Sequence, residues 1–228
     1  MNKIDGLHHL AICTGNMKSQ IQFFTDVLGL ELVALYWMHG VANTWHGFLR
    51  LNDESSVAFV QNEAIKEIPV QPGVTHAGNP AANSSPGTMQ HVALRVAGDT
   101  ELLAMRDRLR SKGVPVLGPM DHGMCKSIYF AGPENLSLEL SFSVEPIDAA
   151  AWIDPEVVEL AGINSEELAK FTQPENYVDE AGSIVQPSLN SAGPHMSNYA
   201  EGEYSALMNV PDEVILAASQ NEPPVSPD

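Results

Sequence analysis

The chain contains one short strand pattern twice, and this duplication constrains the fold more than any other feature of the sequence. Residues 7–13 read LHHLAIC and residues 89–95 read MQHVALR, so each copy has His, an apolar residue, Ala and a second apolar residue. His9 and His91 occupy the same place in the two copies. A repeat of this kind indicates two similar supersecondary units that stack on one another.

Each copy of the pattern is followed by the same order of predicted elements. In the first unit, Asn16 is the expected N-cap of a helix that ends at Gly29. In the second unit, Asp99 is the expected N-cap of a helix that runs to about Ser111. Three further strands are predicted in each unit, at residues 31–36, 46–51 and 56–61 and at residues 114–117, 127–130 and 137–142. Each unit is therefore a strand–helix–strand–strand–strand module.

These elements divide the chain into four predicted parts. The two modules span residues 1–61 and 89–142. Residues 62–88 are rich in Pro, Gly, Asn and Ser, which predicts a linker long enough to cover part of a site. Residues 143–228 are predicted to begin with two short helices and to continue as an extended tail that wraps the domain or a partner subunit, or is partly disordered.

The overall charge and hydrophobicity disfavour two classes of partner. The formal net charge is −18, from 11 basic and 29 acidic side chains, which disfavours nucleic acid and anionic membrane surfaces. No apolar stretch approaches the roughly 20 residues that a membrane-spanning helix needs. We therefore expect a soluble, cytoplasmic protein whose partner is a small molecule, with a homo-oligomer left open.

Two histidines and one glutamate are the candidate metal ligands. Alternate residues of a strand share a face, so His9 is expected to lie beside Ala11, and Glu139 beside Ser137, with leucines on the opposite face. A buried carboxylate needs a partner, and a divalent cation would supply one. Taken singly, each of these residues is more often structural. Taken together, at matched positions of a repeat, His9, His91 and Glu139 predict a facial metal triad.

The sequence resembles the vicinal oxygen chelate superfamily, which includes glyoxalase I, extradiol ring-cleaving dioxygenases, methylmalonyl-CoA epimerase and the fosfomycin and bleomycin resistance proteins. The resemblance covers about residues 4–142. The matching stretches are 7–30 and 89–142, with KSIYF at 126–130, GPEN at 132–135 and LEL at 138–140. The resemblance implies an α+β fold in which two paired βαβββ modules form a cupped eight-stranded sheet around a divalent metal, followed here by the C-terminal helical and extended tail. It places His9, His91 and Glu139 at three of the metal positions.

A fourth metal position separates the activities within this superfamily. Glyoxalase I and the epimerase are similar in taking a Glu or Gln from the last strand of the first module. This chain reads SSVAFVQ there, and Gln61 is a candidate that fits only with a local insertion. Without it, the triad has open positions, which suit non-haem Fe(II) with a bidentate substrate and O₂. Fe(II) is therefore the favoured cofactor, with Mn(II), Zn(II) and Ni(II) as alternatives.

Tyr129 and His122 resemble a Tyr and a His of the extradiol dioxygenases that hydrogen-bond the bound diol and the oxygen-derived intermediate. By subtraction of residue numbers they precede Glu139 by ten and seventeen positions. The alternatives are a core aromatic for Tyr129 and an exposed loop residue for His122. The familiar extradiol enzymes also have a catalytic His where this chain has Ser55 and Ser56. The histidines that remain candidates for that role are His46, His39 and His76.

The resemblance and the open triad together favour an extradiol-like dioxygenase that cleaves an aromatic or vicinal-dioxygen substrate. The first alternative is an isomerase or lyase of the glyoxalase or epimerase type, in which the metal is a Lewis acid. The second is a resistance-type protein that binds a small molecule without turnover.

Overall fold

The computed structural model describes residues 4–176, 182 and 184–226. The chain divides into a larger unit, residues 5–38 and 43–174, and a smaller unit, residues 1–4, 39–42 and 175–228. The predicted extended tail includes residues 177–181 and 183, which lie outside the described residues.

The first module forms a four-stranded sheet backed by a helix. Its elements are β1 (His9–Cys13), α1 (Met17–Gln22, continued by a π-helical turn at Phe23–Val27), β2 (Glu31–Trp37), β3 (Trp45–Asn52) and β4 (Ser55–Gln61). The Asn16 side chain caps α1 by accepting a hydrogen bond from the Ser19 N–H at 3.0 Å, as predicted. Gly29 follows the helix with a φ of +85°, which favours glycine. The strand order is β1-β4-β3-β2, with β1 parallel to β4.

The second module repeats this arrangement after a connecting segment that contains the short helix α2 (Glu63–Lys66). Its elements are β5 (Val92–Arg95), α3 (Asp99–Ser111), β6 (Leu117–Asp121), β7 (Lys126–Ala131) and β8 (Ser137–Phe142), in the sheet order β5-β8-β7-β6. The strand predicted at 114–117 lies three residues later, as β6, because the Val114 N–H instead bonds the Leu109 carbonyl at the end of α3 (3.0 Å). Asp99 is the first helical residue and not the N-cap, and its carboxylate instead pairs with the Lys126 ammonium at 3.1 Å.

The predicted α+β fold with two βαβββ modules is confirmed. The eight strands of residues 5–174 are divided between two four-stranded sheets, and β1 and β5 are edge strands of their sheets. Among the described residues these two edges are not hydrogen-bonded to each other. An eight-stranded sheet would require an edge of one module to meet an edge of another.

One apolar core occupies the helix side of both sheets. Val57 and Phe59 of β4 and Leu138 and Leu140 of β8 belong to this core, together with Leu102 of α3. Because side chains alternate along a strand, the residues between them, Ala58 and Glu139, face away from the helices. The face opposite the core therefore carries the candidate ligand positions of both modules.

The turn between β7 and β8 joins the two modules through one carboxylate. Glu134 accepts hydrogen bonds from the Thr14 hydroxyl (2.6 Å), the Gly15 N–H (2.8 Å) and the Gln20 amide (2.9 Å). The Arg108 side chain of α3 adds a bond to the Val27 carbonyl at 2.6 Å. The modules of one chain are thus fastened at the helix side and at this turn.

The C-terminal part of the larger unit contains the helices α4 (Ala149–Trp152), α5 (Pro155–Leu160) and α6 (Ser165–Thr172). Asp154 and Asn164 cap α5 and α6, so the two predicted short helices are present. The smaller unit contains α7 (Glu203–Met208) and α8 (Asp212–Ala218), where the sequence predicted extended chain. None of the helices in the described part of the chain has the length and apolar character that would let it cross a membrane.

Candidate functional site

His91 and Glu139 lie side by side on the second module. They lie on the face of its sheet opposite the apolar core, which we call the open face in both modules. β8 runs between β5 and β7, and its register pairs Glu139 with Ala93 on one side and Tyr129 on the other. The Oε2 atom of Glu139 lies 2.9 Å from Nε2 of His91, and Glu139 is only 4% exposed. The structure therefore brings together two of the three predicted metal ligands.

The Gln90 side chain determines which ring nitrogen of His91 carries a proton. The other ring nitrogen faces the Glu139 carboxylate. The Gln90 amide nitrogen donates to the backbone carbonyls of Asn79 (3.3 Å) and Ala82 (3.1 Å) in the connecting segment. Its Oε1 consequently faces His91 and accepts a hydrogen bond from Nδ1. A neutral imidazole protonated on Nδ1 has its lone pair on Nε2, which points at Glu139. Two electron-pair donors this close require a proton or a cation between them, so the pair fits two ligands of a divalent metal.

Tyr129 and His122 extend this half-site along β7 and the end of β6. The Tyr129 hydroxyl lies 2.9 Å from His122 Nε2, and the Tyr129 ring lies edge-on to the His91 ring at 6.2 Å. Burial and the neighbouring Glu139 carboxylate raise the pKa of Tyr129, so its phenol is protonated at neutral pH. The two residues predicted to be catalytic are therefore in contact with each other and beside the His91–Glu139 pair, and Tyr129 retains a proton to donate.

The same face of the first module carries aromatic rings. The His9 ring lies 5.4 Å from Phe48 and 6.4 Å from His46. Tyr36 stacks on Phe48 at 6.2 Å with the ring planes 14° apart. We call His9, Tyr36, His46 and Phe48 the ring cluster.

The residue before each candidate ligand histidine contacts the Nδ1 atom of that histidine. His8 Nδ1 lies 2.8 Å from His9 Nδ1, just as Gln90 Oε1 meets His91 Nδ1. This arrangement leaves Nε2 of His9 and of His91 available to a metal, and a hydrogen bond on the other ring nitrogen is the usual way of orienting a metal-bound histidine. The structure therefore gives His8 a hydrogen-bonding role toward His9.

The three predicted ligands are not assembled within one chain. Among the described residues, no three His, Cys, Asp or Glu side chains are grouped so that they could hold a metal ion. His9 therefore lies apart from the pair formed by His91 and Glu139. The physical reason is that the modules are joined through their helices and the Glu134 turn, which leaves the two ligand faces unpaired.

The sheet register shows that Gln61 does not occupy the fourth metal position. Ala58 of β4 stands where β8 has Glu139, because each is the partner of the residue two positions after the ligand histidine. Gln61 lies on the opposite face, 6% exposed, where its Oε1 accepts a hydrogen bond from the Met17 N–H at 2.5 Å. The last strand of the first module thus offers no carboxylate or amide on the ligand face.

The histidines that the sequence left open for an extradiol-type role lie in three different places. His46 belongs to the ring cluster, and its burial and the nearby His9 lower its pKa. His39 lies in the smaller unit, 3.3 Å from the Ala218 carbonyl. His76 lies in the connecting segment, where it bonds the Thr75 hydroxyl at 2.9 Å.

Comparison with known proteins identifies the family. The model of the Glyoxalase/Bleomycin resistance protein/Dioxygenase superfamily matches residues 6–140. No curated protein matched the chain at the significance required.

Several solved structures are similar to part of the chain. An integron cassette protein from the mobile metagenome of the Halifax Harbour sewage outfall is 26% identical, with 60% of this chain and 98% of that chain covered and a TM-score of 0.44. A glyoxylase/bleomycin resistance protein/dioxygenase domain from Frankia sp. EAN1pec is 13% identical, with 62% and 99% covered and a TM-score of 0.49. A mutant of the fosfomycin resistance protein FosX from Listeria monocytogenes, complexed with Mn(II) and 1S,2S-dihydroxypropylphosphonic acid, is 15% identical, with 65% and 99% covered and a TM-score of 0.44.

The family match spans both modules and more than half of the chain, and the residues outside it belong almost entirely to the C-terminal helices and tail. The chain belongs to the Glyoxalase/Bleomycin resistance protein/Dioxygenase superfamily.

Proposed function

We propose that the protein is an extradiol-type dioxygenase that uses Fe(II) to cleave an aromatic or vicinal-dioxygen substrate. The observation that carries this proposal is the His91–Glu139 pair, whose Nε2 and Oε2 atoms lie 2.9 Å apart so that a divalent cation would replace the proton they otherwise share, with Tyr129 and His122 beside it as hydrogen-bonding groups. Ferrous iron suits a site of two imidazoles and one carboxylate.

The third ligand in this proposal is His9 of a second copy of the chain. His9 is exposed, and β1 and β5 are both edge strands, whose free backbone groups favour pairing with another strand. If the first module of one copy lies beside the second module of another, the ligand faces of the two modules line one cup. A two-fold symmetric dimer would then have two equivalent sites.

The absence of a fourth ligand on β4 favours a dioxygenase over an isomerase. With Ala58 in place of a carboxylate, a bound Fe(II) would have open positions at which a bidentate oxygen substrate and O₂ bind together. In this site Tyr129 donates a hydrogen bond to a substrate oxygen, and His122 orients the Tyr129 hydroxyl. The Glu139 carboxylate offsets the positive charge of the metal.

Oxygen consumption tests the reaction. The protein is purified anaerobically, loaded with Fe(II) and supplied with a panel of catechols and hydroquinones. We expect oxygen uptake that matches the formation of a ring-opened product measured by mass spectrometry. Isomerisation supported by Zn(II) or Ni(II) without oxygen uptake would replace the dioxygenase with the Lewis-acid alternative, and tight binding without turnover would indicate a binding protein.

Complementation between two inactive variants tests the shared site. His9→Ala and Glu139→Ala are each expected to be inactive, but coexpression should restore about a quarter of the wild-type activity, because half of the dimers are mixed and each has one intact site. Coexpression of His91→Ala with Glu139→Ala is the matched control. Both residues come from the same copy, so no mixed site is intact and no activity should return. If activity returns in neither combination of variants, the shared site is excluded.

A further inference from the structure

His46 has a buried hydrogen-bonding atom that no described residue satisfies. The residue is 7% exposed, and its Nε2 atom has no hydrogen-bond partner among the residues that the structure describes. Its neighbours on the open face are rings, with Phe48 at 4.6 Å and Tyr36 at 6.1 Å between ring centroids. These contacts pack the imidazole well but leave its polar edge unpaired.

An unpaired polar atom in this place is unfavourable for the free protein. A buried donor or acceptor without a partner has lost its hydrogen bonds to water and gained none in return, so a purely structural residue here would be apolar, as Phe48 is. The register places His46 between Tyr36 of β2 and Val60 of β4, on the same face as the candidate ligand His9. A polar atom without a hydrogen-bond partner, beside a candidate metal ligand, is expected where a bound molecule supplies that partner.

We infer that the ring cluster binds the aromatic ring of the substrate and that His46, through Nε2, hydrogen-bonds a hydroxyl or carbonyl oxygen attached to that ring. Tyr36 and Phe48 provide flat apolar surfaces for the ring, because aromatic pairs gain from offset and edge-to-face packing. His46 then selects oxygenated rings over rings without an oxygen substituent. This inference rests on the proposed function for its aromatic substrate, and it assigns His46 as a specificity-determining residue of the same site.

The ring preference can be measured separately from catalysis with two probes that differ by one hydroxyl group. The purified full chain is titrated with 4-nitrophenol and with nitrobenzene, and binding is followed by quenching of tryptophan fluorescence. Neither probe is a bidentate chelator, so the titration does not depend on turnover. We expect His46→Phe to weaken 4-nitrophenol binding about tenfold, and nitrobenzene binding by less than about twofold, because only the hydroxyl loses a partner.

Two further measurements separate hydrogen bonding from packing. His46→Gln keeps a hydrogen-bonding group and should retain most of the preference for 4-nitrophenol, whereas Phe48→Leu should weaken both probes to a similar extent. The nitrogen-15 chemical shift of His46 Nε2 in the unmodified protein should move on addition of 4-nitrophenol and stay unchanged with nitrobenzene.

Two results would overturn the inference. One is an equal loss of both probes in His46→Phe, which would make His46 a packing residue. The other is a His46 Nε2 chemical shift that is insensitive to 4-nitrophenol, and this result applies even where the Phe variant does not fold. A protein that shows the hydroxyl preference but consumes no oxygen would disprove the dioxygenase and keep the binding assignment. Oxygen consumption without a hydroxyl preference would keep the dioxygenase and disprove the binding assignment.

Discussion

The two modules share one topology, yet their open faces differ in chemistry. The second module presents a carboxylate, an imidazole and a phenol, whereas the first presents the ring cluster. Position by position, Ala58 stands where the second module has Glu139, and Phe48 stands where it has Tyr129. The polar residue of each pair belongs to the second module.

The two modules therefore share the backbone positions and the candidate ligand histidine but differ at the other positions of this face. In both His9 and His91, Nδ1 keeps a hydrogen bond with the side chain of the preceding residue. In the proposed site, the second module would hold the cation and donate protons, and the first would hold a flat apolar ring with one polar group. A site assembled from both faces would then combine a metal, a ring-binding wall and the hydrogen-bonding groups that orient a substrate.

Removing the carboxylate of the second module should have the largest effect. Glu139→Ala leaves the His91 lone pair without its anionic neighbour, so we expect the iron content after anaerobic loading to fall to background and oxygen uptake to disappear. Iron is measured by plasma mass spectrometry. Asp53→Ala removes a carboxylate from an exposed turn of the first module and should bind iron as the wild type does. Full iron loading of Glu139→Ala would remove Glu139 from the ligand set.

Replacing the phenol of the second module by the ring found in the first should slow catalysis without loss of metal. Tyr129→Phe removes the hydroxyl that meets His122, and loss of one such donor typically lowers kcat by about 100-fold. We expect KM and iron content to change much less than kcat. Steady-state oxygen uptake with the best substrate of the panel measures both constants. An unchanged kcat would make Tyr129 a core aromatic, the alternative that the sequence left open.

Strand alternation was sufficient to predict much of the second half-site. It placed Glu139 on the face away from the leucines, and the repeat placed His91 at the start of the strand pattern, directly before β5, which pairs with β8. Gln61 shows where such reasoning fails. Gln61 lies three positions after Ala58 on β4, and an odd step along a strand reaches the opposite face, so closeness in residue number did not place it on the ligand face.

Two other features depend on information that a single sequence does not carry. The aromatic residues of β2 and β3 are divided between the two faces of the sheet, since Tyr36 lies in the ring cluster while Trp45 packs at the core side. The alternation of Tyr36, His46 and Phe48 across β2 and β3 was the available signal for the ring cluster. Which module edges meet between copies depends on contacts between chains. The order of residues within one chain does not determine those contacts.

Exchanging the residues that precede the two ligand histidines tests whether they have the same role. Gln90→Leu removes the acceptor on His91 Nδ1, and loss of such a partner typically lowers metal affinity by about 10–100-fold. Gln90→His installs the residue that the first module uses and should retain most of the affinity. Competition with a chelator measures both variants. Equal losses in the two variants would show that the Gln90 amide anchors the connecting segment through Asn79 and Ala82 and does not act on the histidine.

The smallest expected effect concerns the two β-hairpin turns that correspond in the modules. Glu134, in the turn of the second module, accepts three hydrogen bonds from the first module, whereas Glu54, in the turn of the first, is exposed. Glu134→Ala leaves the Thr14 and Gln20 donors without their acceptor, so we expect the free energy of unfolding to fall by about 2 kcal/mol. Glu54→Ala should change it by less than about 0.5 kcal/mol. Urea unfolding followed by circular dichroism compares the two variants. Equal stabilities would mean that the shared apolar core and the Arg108 bond hold the modules together without Glu134, and the Glu134 turn would then have no role in keeping the two ligand faces of one chain apart.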